Sequence, residues 1–154
     1  MQQVLRISRK IDYGLRAMLH LASVPPNVVV PFREIARKML VPEDFLAKIL
    51  KTLVDEGLVR SARGPHGGYA LARPSSEINF LEIIEAIEGP VALNVCLDPD
   101  DACPRQPGCT LADVWREGQE KMLDVYRSAN LAALAGKAAD GGAPVQIGSA
   151  PVAG

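Results

Sequence analysis

Three cysteines are grouped in one short, acidic, loop-like segment of the chain. The segment CLDPDDACPRQPGC spans residues 96–109 and contains every cysteine of the 154-residue chain: Cys96, Cys103 and Cys109. Thiolates bind soft metal ions and iron–sulfur clusters, and they also carry out thiol–disulfide chemistry. The gaps of six and five residues between them are wider than in a CxxC zinc knuckle and unlike a ferredoxin run. The pattern therefore predicts a loop that wraps its thiolates around a metal group, or a thiol switch without metal.

The cellular compartment bears on what these thiols do. The N-terminal stretch is interrupted by charged residues between Arg6 and Arg16, and it lacks the apolar block and cleavage site of a signal peptide. No run of 18 apolar residues occurs in the chain, so no membrane-spanning segment is expected. We therefore expect a cytoplasmic protein, in which a reducing environment disfavours structural disulfides and favours metal-binding or redox-active thiols.

Charge is divided unevenly between the two halves of the chain. Residues 1–73 carry 12 Lys and Arg against 6 Asp and Glu, whereas residues 74–154 carry 5 against 12. A basic half joined to an acidic half is typical of a protein whose basic half meets a polyanion such as nucleic acid. Charge alone does not separate this interpretation from solvated surface charge, so local patterns must decide.

The first half of the chain has the pattern of a winged helix-turn-helix. Apolar residues at helical spacing predict a helix over residues 11–23, which ends before the paired prolines at 25–26. A short amphipathic helix over 31–40 and a longer one over 43–57 follow, separated by the tight break of a helix-turn-helix. Residues 58–74 predict two short strands around the glycine-rich turn RGPHGG, which completes the order of a winged helix.

Two more helices are expected after the wing. In the first, Asn79 and Glu82 have the spacing of a capping box. The second is predicted over 110–135, with Thr110 as its N-cap and apolar or small residues at alternating steps of four and three: Leu111, Trp115, Gly118, Met122, Val125, Ala129 and Ala132. This spacing favours pairing with the same helix of a second subunit, although packing on its own domain is the alternative.

The expected fold class is mostly α-helical with a small β-hairpin. We expect a winged helix-turn-helix DNA-binding domain over 1–89, a cysteine-rich cluster-binding loop over 90–109 and a dimerisation helix over 110–135. The Ala-, Gly-, Pro- and Ser-rich residues 136–154 predict a disordered tail.

Several of these stretches together resemble a known family. The segments IDYGLRAMLHLA, EIARKMLVPEDFLAKILKTLVDEGLV and RGPHGGYALARP, followed by three cysteines and a long helix, are similar to the IscR- and NsrR-like family of winged-helix regulators. The resemblance covers about residues 5 to 135. It implies a homodimeric bacterial transcription regulator, and the cysteine-bearing members of the family hold an iron–sulfur cluster as the sensor.

Candidate DNA-binding residues lie on the second helix of the helix-turn-helix and on the wing. The outer face of a recognition helix reaches base edges in the major groove, and a wing arginine suits the negative potential of the minor groove. The candidates are Glu43, Asp44, Lys48, Lys51 and Thr52 on the helix and Arg63, Gly64, His66 and Gly67 on the wing. For the two lysines and His66, solvated surface without a role is the alternative. The partner expected for them is a near-palindromic double-stranded operator.

A cluster with four ligand positions needs one ligand besides the three cysteines. One branch of the family has a histidine three residues after the third cysteine, where this chain has Ala112. The nitric-oxide-sensing branch uses an aspartate in the N-terminal helix of the partner subunit, and Asp12 occupies that motif position. The resemblance therefore implies Cys96, Cys103, Cys109 and Asp12 as ligands and favours a 4Fe–4S over a 2Fe–2S cluster. A solvent-facing helix carboxylate is the alternative for Asp12.

The favoured function is a dimeric transcription regulator whose operator binding is controlled by an iron–sulfur cluster that senses nitric oxide, oxygen, redox poise or iron. A cluster-free regulator switched by thiols or zinc is the first alternative, and a small iron–sulfur carrier is the second. An enzyme is not expected, because His20 and His66 have no evident nucleophile or acid partner in the sequence.

Overall fold

The computed structural model describes residues 6–101 and 103–139. The helices are α1 (Arg9–Ser23), α2 (Phe32–Met39), α3 (Glu43–Asp55), α4 (Phe80–Glu88), α5 (Thr110–Ser128) and α6 (Leu131–Ala139), and the strands are β1 (Val59–Ala62) and β2 (Gly68–Leu71). Short 3-10 turns cover Ser75–Glu77 and Val95–Leu97. The expectation of a mostly helical fold with one β-hairpin is confirmed. Within the described ranges, no helix is both long and apolar enough to cross a bilayer.

Helix α1 is the centre of the hydrophobic core, and α2, α3, α4 and α6 all pack against it. Ala17 and Met18 are fully buried. Helices α1 and α4 approach closely at Gly14, because a Cβ atom added there would overlap the side chain of Ile87. Each fully buried aliphatic side chain of this core stabilises the fold by about 1.5–3 kcal/mol.

Helices α2 and α3 form the predicted helix-turn-helix. The turn is made by Leu40, which adopts the left-handed conformation (φ 54°) and donates its backbone N–H to the carbonyl of Ala36. The apolar repeat of α3 is buried at Leu46, Ile49, Leu50 and Leu53. Phe45, the apolar residue next to Leu46 in the sequence of α3, is instead 51% exposed. Its ring lies at the edge of α3, where it makes an edge-to-face contact with Tyr13 of α1 (centroids 5.8 Å apart).

The wing is an antiparallel hairpin with a third chain segment at its base. Strand β1 pairs with β2 in the register Val59–Leu71 to Ala62–Gly68. Val30, which precedes α2, exchanges both backbone hydrogen bonds with Tyr69 (2.8 and 2.9 Å). This isolated bridge fixes the hairpin to the helix-turn-helix, so the wing and α3 are held in one rigid arrangement.

Helix α4 begins with the predicted capping box, which is confirmed. The Asn79 side chain accepts from the Glu82 backbone N–H, and the Glu82 carboxylate accepts from the Asn79 N–H. The other end of α4 is tied to the start of α1, because Lys10 donates to the carbonyl of Ile87 and Ser8 donates to the carboxylate of Glu88. The chain therefore enters the cysteine segment from a fixed point.

The predicted continuous helix over 110–135 is two helices, α5 and α6, with a break at Ala129–Asn130. Ala129 is extended (φ −90°, ψ 104°). Its carbonyl accepts from the Phe80 N–H, and the Leu131 N–H donates to the carbonyl of Ile78. The Asn130 side chain then caps α6 by accepting from the Ala133 N–H. The break occurs because these backbone bonds to the segment before α4 replace helical ones, and this allows Leu131 to enter the core.

Helix α6 also changes the predicted end of the ordered region. Residues 136–139, which the sequence assigned to a disordered tail, continue α6. The rest of that predicted tail, residues 140–154, lies outside the described residues.

The contact between α1 and α2 contains a buried histidine, His20, which is 6% exposed. Its Nε2 lies 3.5 Å from the carboxylate of Glu34 without the alignment of a hydrogen bond, and Lys38 lies 3.0 Å from the same carboxylate. Burial, together with the charge of Lys38, lowers the pKa of His20 below its usual value, although Glu34 opposes this effect. The neutral imidazole is therefore the form that the fold favours.

We expect the stability of the protein to fall on acidification because of His20. The unfolded chain takes up this proton near its usual pKa of about 6.5, before the folded chain does. The free energy of unfolding should thus be unaffected by this group above about pH 7.5 and should decrease as the pH falls through 6.5 toward 5. Urea titrations across this range test the effect. His20→Gln should flatten the pH profile, and a slope in this variant equal to that of the wild type would contradict the prediction.

Candidate nucleic-acid interface and cysteine loop

The outer face of α3 carries the candidate recognition residues. Glu43, Asp44 and Lys48 are exposed, and Ala47 is exposed between them. Lys51 is also exposed but makes an ion pair with Asp55 (2.8 Å). The Thr52 hydroxyl donates to the Lys48 carbonyl, so it is already engaged within the helix. On this face Glu43, Asp44 and Lys48 have no side-chain partner among the described residues, with carboxylate acceptors at the N-terminal end of α3 and an ammonium donor one turn later.

The tip of the wing presents the other predicted group. Arg63, Gly64 and His66 are exposed. The turn closes by a hydrogen bond from the Gly67 N–H to the Gly64 carbonyl (2.9 Å), and a Cβ at Gly67 would lie 2.5 Å from the Ala62 carbonyl oxygen. Gly64 has φ 102°, a conformation that glycine adopts without strain. The tight turn carries Arg63 at the end of a stiff hairpin, as a minor-groove contact requires.

Sequence reasoning missed two kinds of residue near this surface. Ala47 is apolar and was not among the predicted contacts, although it lies three residues after Asp44 and four before Lys51, which places it on the same helix face as both. Arg33 and Arg37 of α2 are exposed and, among the described residues, pair with no carboxylate. Both arginines lie on the first helix of the helix-turn-helix. Because this helix crosses the DNA backbone in the motif, their positions in the sequence indicate a role near the phosphates.

The cysteine loop connects α4 to α5, and its three thiols are free and half-buried. Cys96 lies in the 3-10 turn, and its carbonyl accepts from the side chain of Gln106 (2.9 Å). The start of the loop is fastened to α5, because the Leu93 N–H donates to the side chain of Gln119 (2.9 Å). Within the part of the chain that the structure describes, no three His, Cys, Asp or Glu side chains are grouped so that they could hold a metal ion. One chain alone does not gather the predicted ligands.

Cys109, rather than the predicted Thr110, is the N-cap of α5. Thr110 is the first helical residue, and no side chain caps the helix start. The correction follows from Gly108, whose positive φ (102°) turns the chain one residue earlier than expected. The thiol of Cys109 therefore adjoins the first N–H groups of α5, at the positive end of the helix dipole, where an anionic ligand would be stabilised.

Asp12 is not the solvent-facing carboxylate that was the alternative to a ligand role. Its side chain is 15% exposed, and one carboxylate oxygen pairs with Arg16 (2.6 Å). The other oxygen, Oδ1, is inaccessible to solvent and has no hydrogen-bond partner among the described residues. Buried polar atoms without a partner are rare in folded proteins, so this oxygen would gain a partner if the Asp12 side chain turned toward an external donor or a metal ion.

Helix α5 has an apolar stripe that is exposed on the single chain. Leu111, Val114 and Val125 are 64%, 71% and 65% exposed, and Trp115 is 37% exposed. Spacings of three and four residues place these side chains, with Gly118 and Met122, on one face of the helix. The buried residues of α5, Ala112 and Leu123, lie on the adjacent face. The predicted pairing face and the face that packs on the chain's own domain are therefore distinct.

The donor set fits an iron–sulfur cluster by its chemistry. Three free thiols and one unpartnered carboxylate oxygen supply four ligand atoms of suitable types. They are not assembled within one chain, so a cluster would be completed only between two chains or after movement of the loop.

Known proteins provide an independent comparison. A family model described as Rrf2, iron-dependent transcriptional regulator, matches residues 7–137. The Mycobacterium tuberculosis protein Rv1287, named as an HTH-type transcriptional regulator, is 38% identical over 134 residues, which are 87% of this chain and 83% of that protein.

Two solved structures of regulators are also similar to this chain. CymR, the global cysteine regulator of B. subtilis, is 29% identical with a TM-score of 0.73, covering 86% of this chain and 97% of that chain. IscR of T. potens is also 29% identical with a TM-score of 0.73, covering 90% of this chain and 92% of that chain.

The matched region contains the helix-turn-helix, the wing, the cysteine loop and α5, so the comparison covers every element of the candidate site. The matching family and relatives are transcriptional regulators and not enzymes. The chain is a member of the Rrf2 family of transcriptional regulators.

Proposed function

We propose that this regulator is a cytoplasmic homodimer whose affinity for a near-palindromic operator is controlled by an iron–sulfur cluster. The proposed ligands are Cys96, Cys103 and Cys109 of one subunit and Asp12 of the partner subunit, with 4Fe–4S favoured. The observation that carries the proposal is the buried, unpartnered carboxylate oxygen of Asp12 in a chain that has three free thiols in one loop.

Dimer formation is supported by the apolar stripe on α5. Contiguous exposed apolar surface marks interaction sites, and a symmetric dimer would place the stripe of one subunit on that of the other. The stripe starts at Leu111, two residues after Cys109, so the cysteine loop of each subunit would lie at the edge of the interface. A ligand from the second subunit is then within reach of the loop.

Operator binding is assigned to the outer face of α3 and to the wing. Glu43 and Asp44 can accept hydrogen bonds from cytosine amino groups, and Lys48 can donate to guanine or to a phosphate. Arg63, Gly64, His66 and Gly67 form the minor-groove element. Lys51 and Thr52 are further DNA contacts of α3, although each also has a contact within the helix. Two copies related by a dyad would read two half-sites.

Helix α1 provides a physical connection between the cluster ligand and the DNA. The Arg16 guanidinium, which pairs with Asp12, also donates to the Met39 carbonyl at the end of α2 (3.5 Å). Tyr13 contacts Phe45 in the first turn of α3. When bound, a cluster supplies iron sites that react with small diatomic molecules and change oxidation state. The chain's own part is to hold Asp12, and a displacement of Asp12 would be transmitted through α1 to the recognition helix.

Native mass spectrometry of protein purified without oxygen tests this proposal. We expect a dimer that carries two 4Fe–4S units, with Asp12→Ala lowering the cluster occupancy. Asp113→Ala is the matched control, because Asp113 is a helical aspartate that also pairs with an arginine (Arg116, 2.9 Å) but is exposed. Operator affinity is measured in parallel on cluster-loaded and cluster-free dimers. Equal affinities would overturn the control mechanism, and unchanged occupancy in Asp12→Ala would remove Asp12 from the ligand set.

A second candidate, a regulator switched by thiol oxidation or zinc, is favoured by the state of the cysteines in the single chain. All three thiols are free and half-buried, so they are available to an oxidant or to a metal ion. The same experiment distinguishes the two candidates. A dimer that accepts no cluster on reconstitution but loses operator affinity on oxidation, or gains zinc, would replace the first proposal with the second.

A further inference from the structure

A cavity to which neither the cysteine loop nor α3 contributes lies at the base of the wing. Its volume is about 410 Å³. It is open to solvent and is lined by the end of α1, by the connection between α1 and α2, by the base of the hairpin and by the 3-10 turn that follows it. Pockets of 300–1,000 Å³ are the usual size for small-molecule sites.

The lining of the cavity combines apolar and polar side chains. Its apolar part is formed by Leu21, Ala22, Val24, Pro25, Pro26, Val28, Ala70, Leu71, Ala72 and Pro74, and its polar part by Asn27, Arg60, Arg73, Ser75 and Ser76. The prolines restrict the backbone on two sides, so much of the wall is rigid before any ligand arrives. An apolar body with one polar head would fit this distribution.

Arg60 determines which charge the polar head of a ligand should carry. Arg73, the other arginine of the lining, makes an ion pair with the carboxylate of Glu82. Arg60 pairs with no carboxylate within the described ranges, and its one hydrogen bond is a long one, to the Asn27 side-chain oxygen (3.5 Å). A guanidinium has five donors in a fixed fork, which suits bidentate binding of a carboxylate.

From this arrangement we infer that the cavity is a binding site for a small carboxylic acid with a compact aliphatic body, and that its occupancy adjusts the wing. The carboxylate would bind Arg60, and the aliphatic body would fill the proline-lined part. The hydroxyls of Ser75 and Ser76 are further polar groups of the lining. Ligand binding at this site would be a second signal to the regulator, separate from any group that the cysteine loop holds.

The link to the wing is the connection between α1 and α2. Residues 24–28 of this connection line the cavity, and two residues later Val30 bridges to Tyr69 of β2. Arg60 itself lies on β1 and pairs with Ala70 in the hairpin register. A ligand held between the connection and the hairpin would therefore contact both of the chain segments that the Val30–Tyr69 bridge joins. It would fix the angle between the wing and the helix-turn-helix. This second step rests on the proposed function, whereas ligand binding does not.

Binding is tested on the full-length, DNA-free protein by ¹H–¹⁵N NMR titration with 3-methylbutanoate. The neutral probe 3-methylbutanamide, which has almost the same shape, is the control. We expect saturable shifts confined to the cavity lining, and about tenfold weaker binding of the amide, because it cannot form a charge-assisted pair with Arg60. Arg60→Gln should weaken carboxylate binding by about tenfold for the same reason.

A second variant tests the cavity without touching the charge. Ala22 lines the cavity, so Ala22→Leu would fill part of it and should abolish the shifts while Arg60 is intact. Thermal melts report whether either variant is folded. No saturable shift with 3-methylbutanoate, or equal shifts in the wild type, Arg60→Gln and Ala22→Leu, would overturn the site.

Operator titrations separate this inference from a DNA-contact role for Arg60. If 3-methylbutanoate changes operator affinity in the wild type but not in Ala22→Leu, the input to the wing is supported. If Arg60→Gln lowers ligand-free operator affinity and leaves the NMR titration unchanged, Arg60 binds DNA phosphate and the site is wrong. Because the NMR titration needs neither cluster nor operator, failure of the cluster mechanism would leave it interpretable.

Discussion

Replacement of Gly68 by alanine is expected to lower operator affinity by about a hundredfold, equivalent to about 2.7 kcal/mol. Gly68 begins β2 beside the Val30–Tyr69 bridge. A Cβ atom there would overlap the carbonyl oxygen of Val30 and lie 2.6 Å from its carbon and 3.0 Å from Pro31 Cα. Since all of these are backbone atoms, they cannot turn aside as a side chain would, and the strand must move instead.

The consequence for DNA binding follows from what the bridge holds. Once the hairpin is displaced from Val30, Arg63 and the wing turn no longer have a fixed position relative to α3. The contacts of the wing with DNA are then weakened, and loss of one specific protein–DNA hydrogen bond costs about 1–3 kcal/mol. Fluorescence anisotropy with a labelled operator at constant salt is the measurement. The control is Gly136→Ala in α6, where an added Cβ meets no atom within 4 Å. If Gly68→Ala binds the operator as tightly as this control, the wing is not held by the bridge.

Leu131→Ala is expected to have the largest effect on stability, a loss of about 3 kcal/mol in the free energy of unfolding. Leu131 is 1% exposed and belongs to the core cluster that includes residues of α1 and α4. Truncation removes its apolar packing and leaves a cavity that backbone bonds at Ala129 and Leu131 prevent from collapsing. Urea denaturation followed by circular dichroism at pH 7.5 measures the change.

The matched control is Leu40→Ala, the same substitution at a position that is 78% exposed. Substitutions of exposed residues usually change stability by less than about 0.5 kcal/mol. Because alanine keeps the left-handed conformation of Leu40 as unfavourable as leucine does, backbone strain does not enter the comparison. A Leu131→Ala effect no greater than that of Leu40→Ala would mean that α6 is not docked in the core.

The elements that depend on local signals were predictable from the sequence. The capping box of α4, the helix-turn-helix break and the hairpin around the glycine-rich turn each have a pattern within a few residues, and the structure confirms them. The α5–α6 break was missed because the apolar spacing continues across it. Asn130, a strong N-cap type, was the local signal available.

The remaining differences come from contacts between residues far apart in the chain. Val30 joins the wing only because Tyr69 lies opposite it, and Phe45 is half exposed because Tyr13 covers one edge of its ring. Nothing in the local sequence of Asp12 indicates that one of its oxygens is buried without a partner among the described residues, since that depends on the packing around α1. The arrangement of the thiols is likewise a property of the folded loop, and in the proposed dimer a property of two chains.

The anchoring of the cysteine loop has a kinetic meaning. The loop leaves from the end of α4, which is tied to α1, and it is fastened near its start to α5, on which it also ends. The entropy that a chain loses when a loop closes has therefore already been lost in the folded protein. Bringing the thiols together does not require the two ends of the loop to find each other. In the proposed dimer, loss of whatever the thiols bind should then be first order in the regulator, so the time that this loss takes should not depend on how much regulator the cell contains.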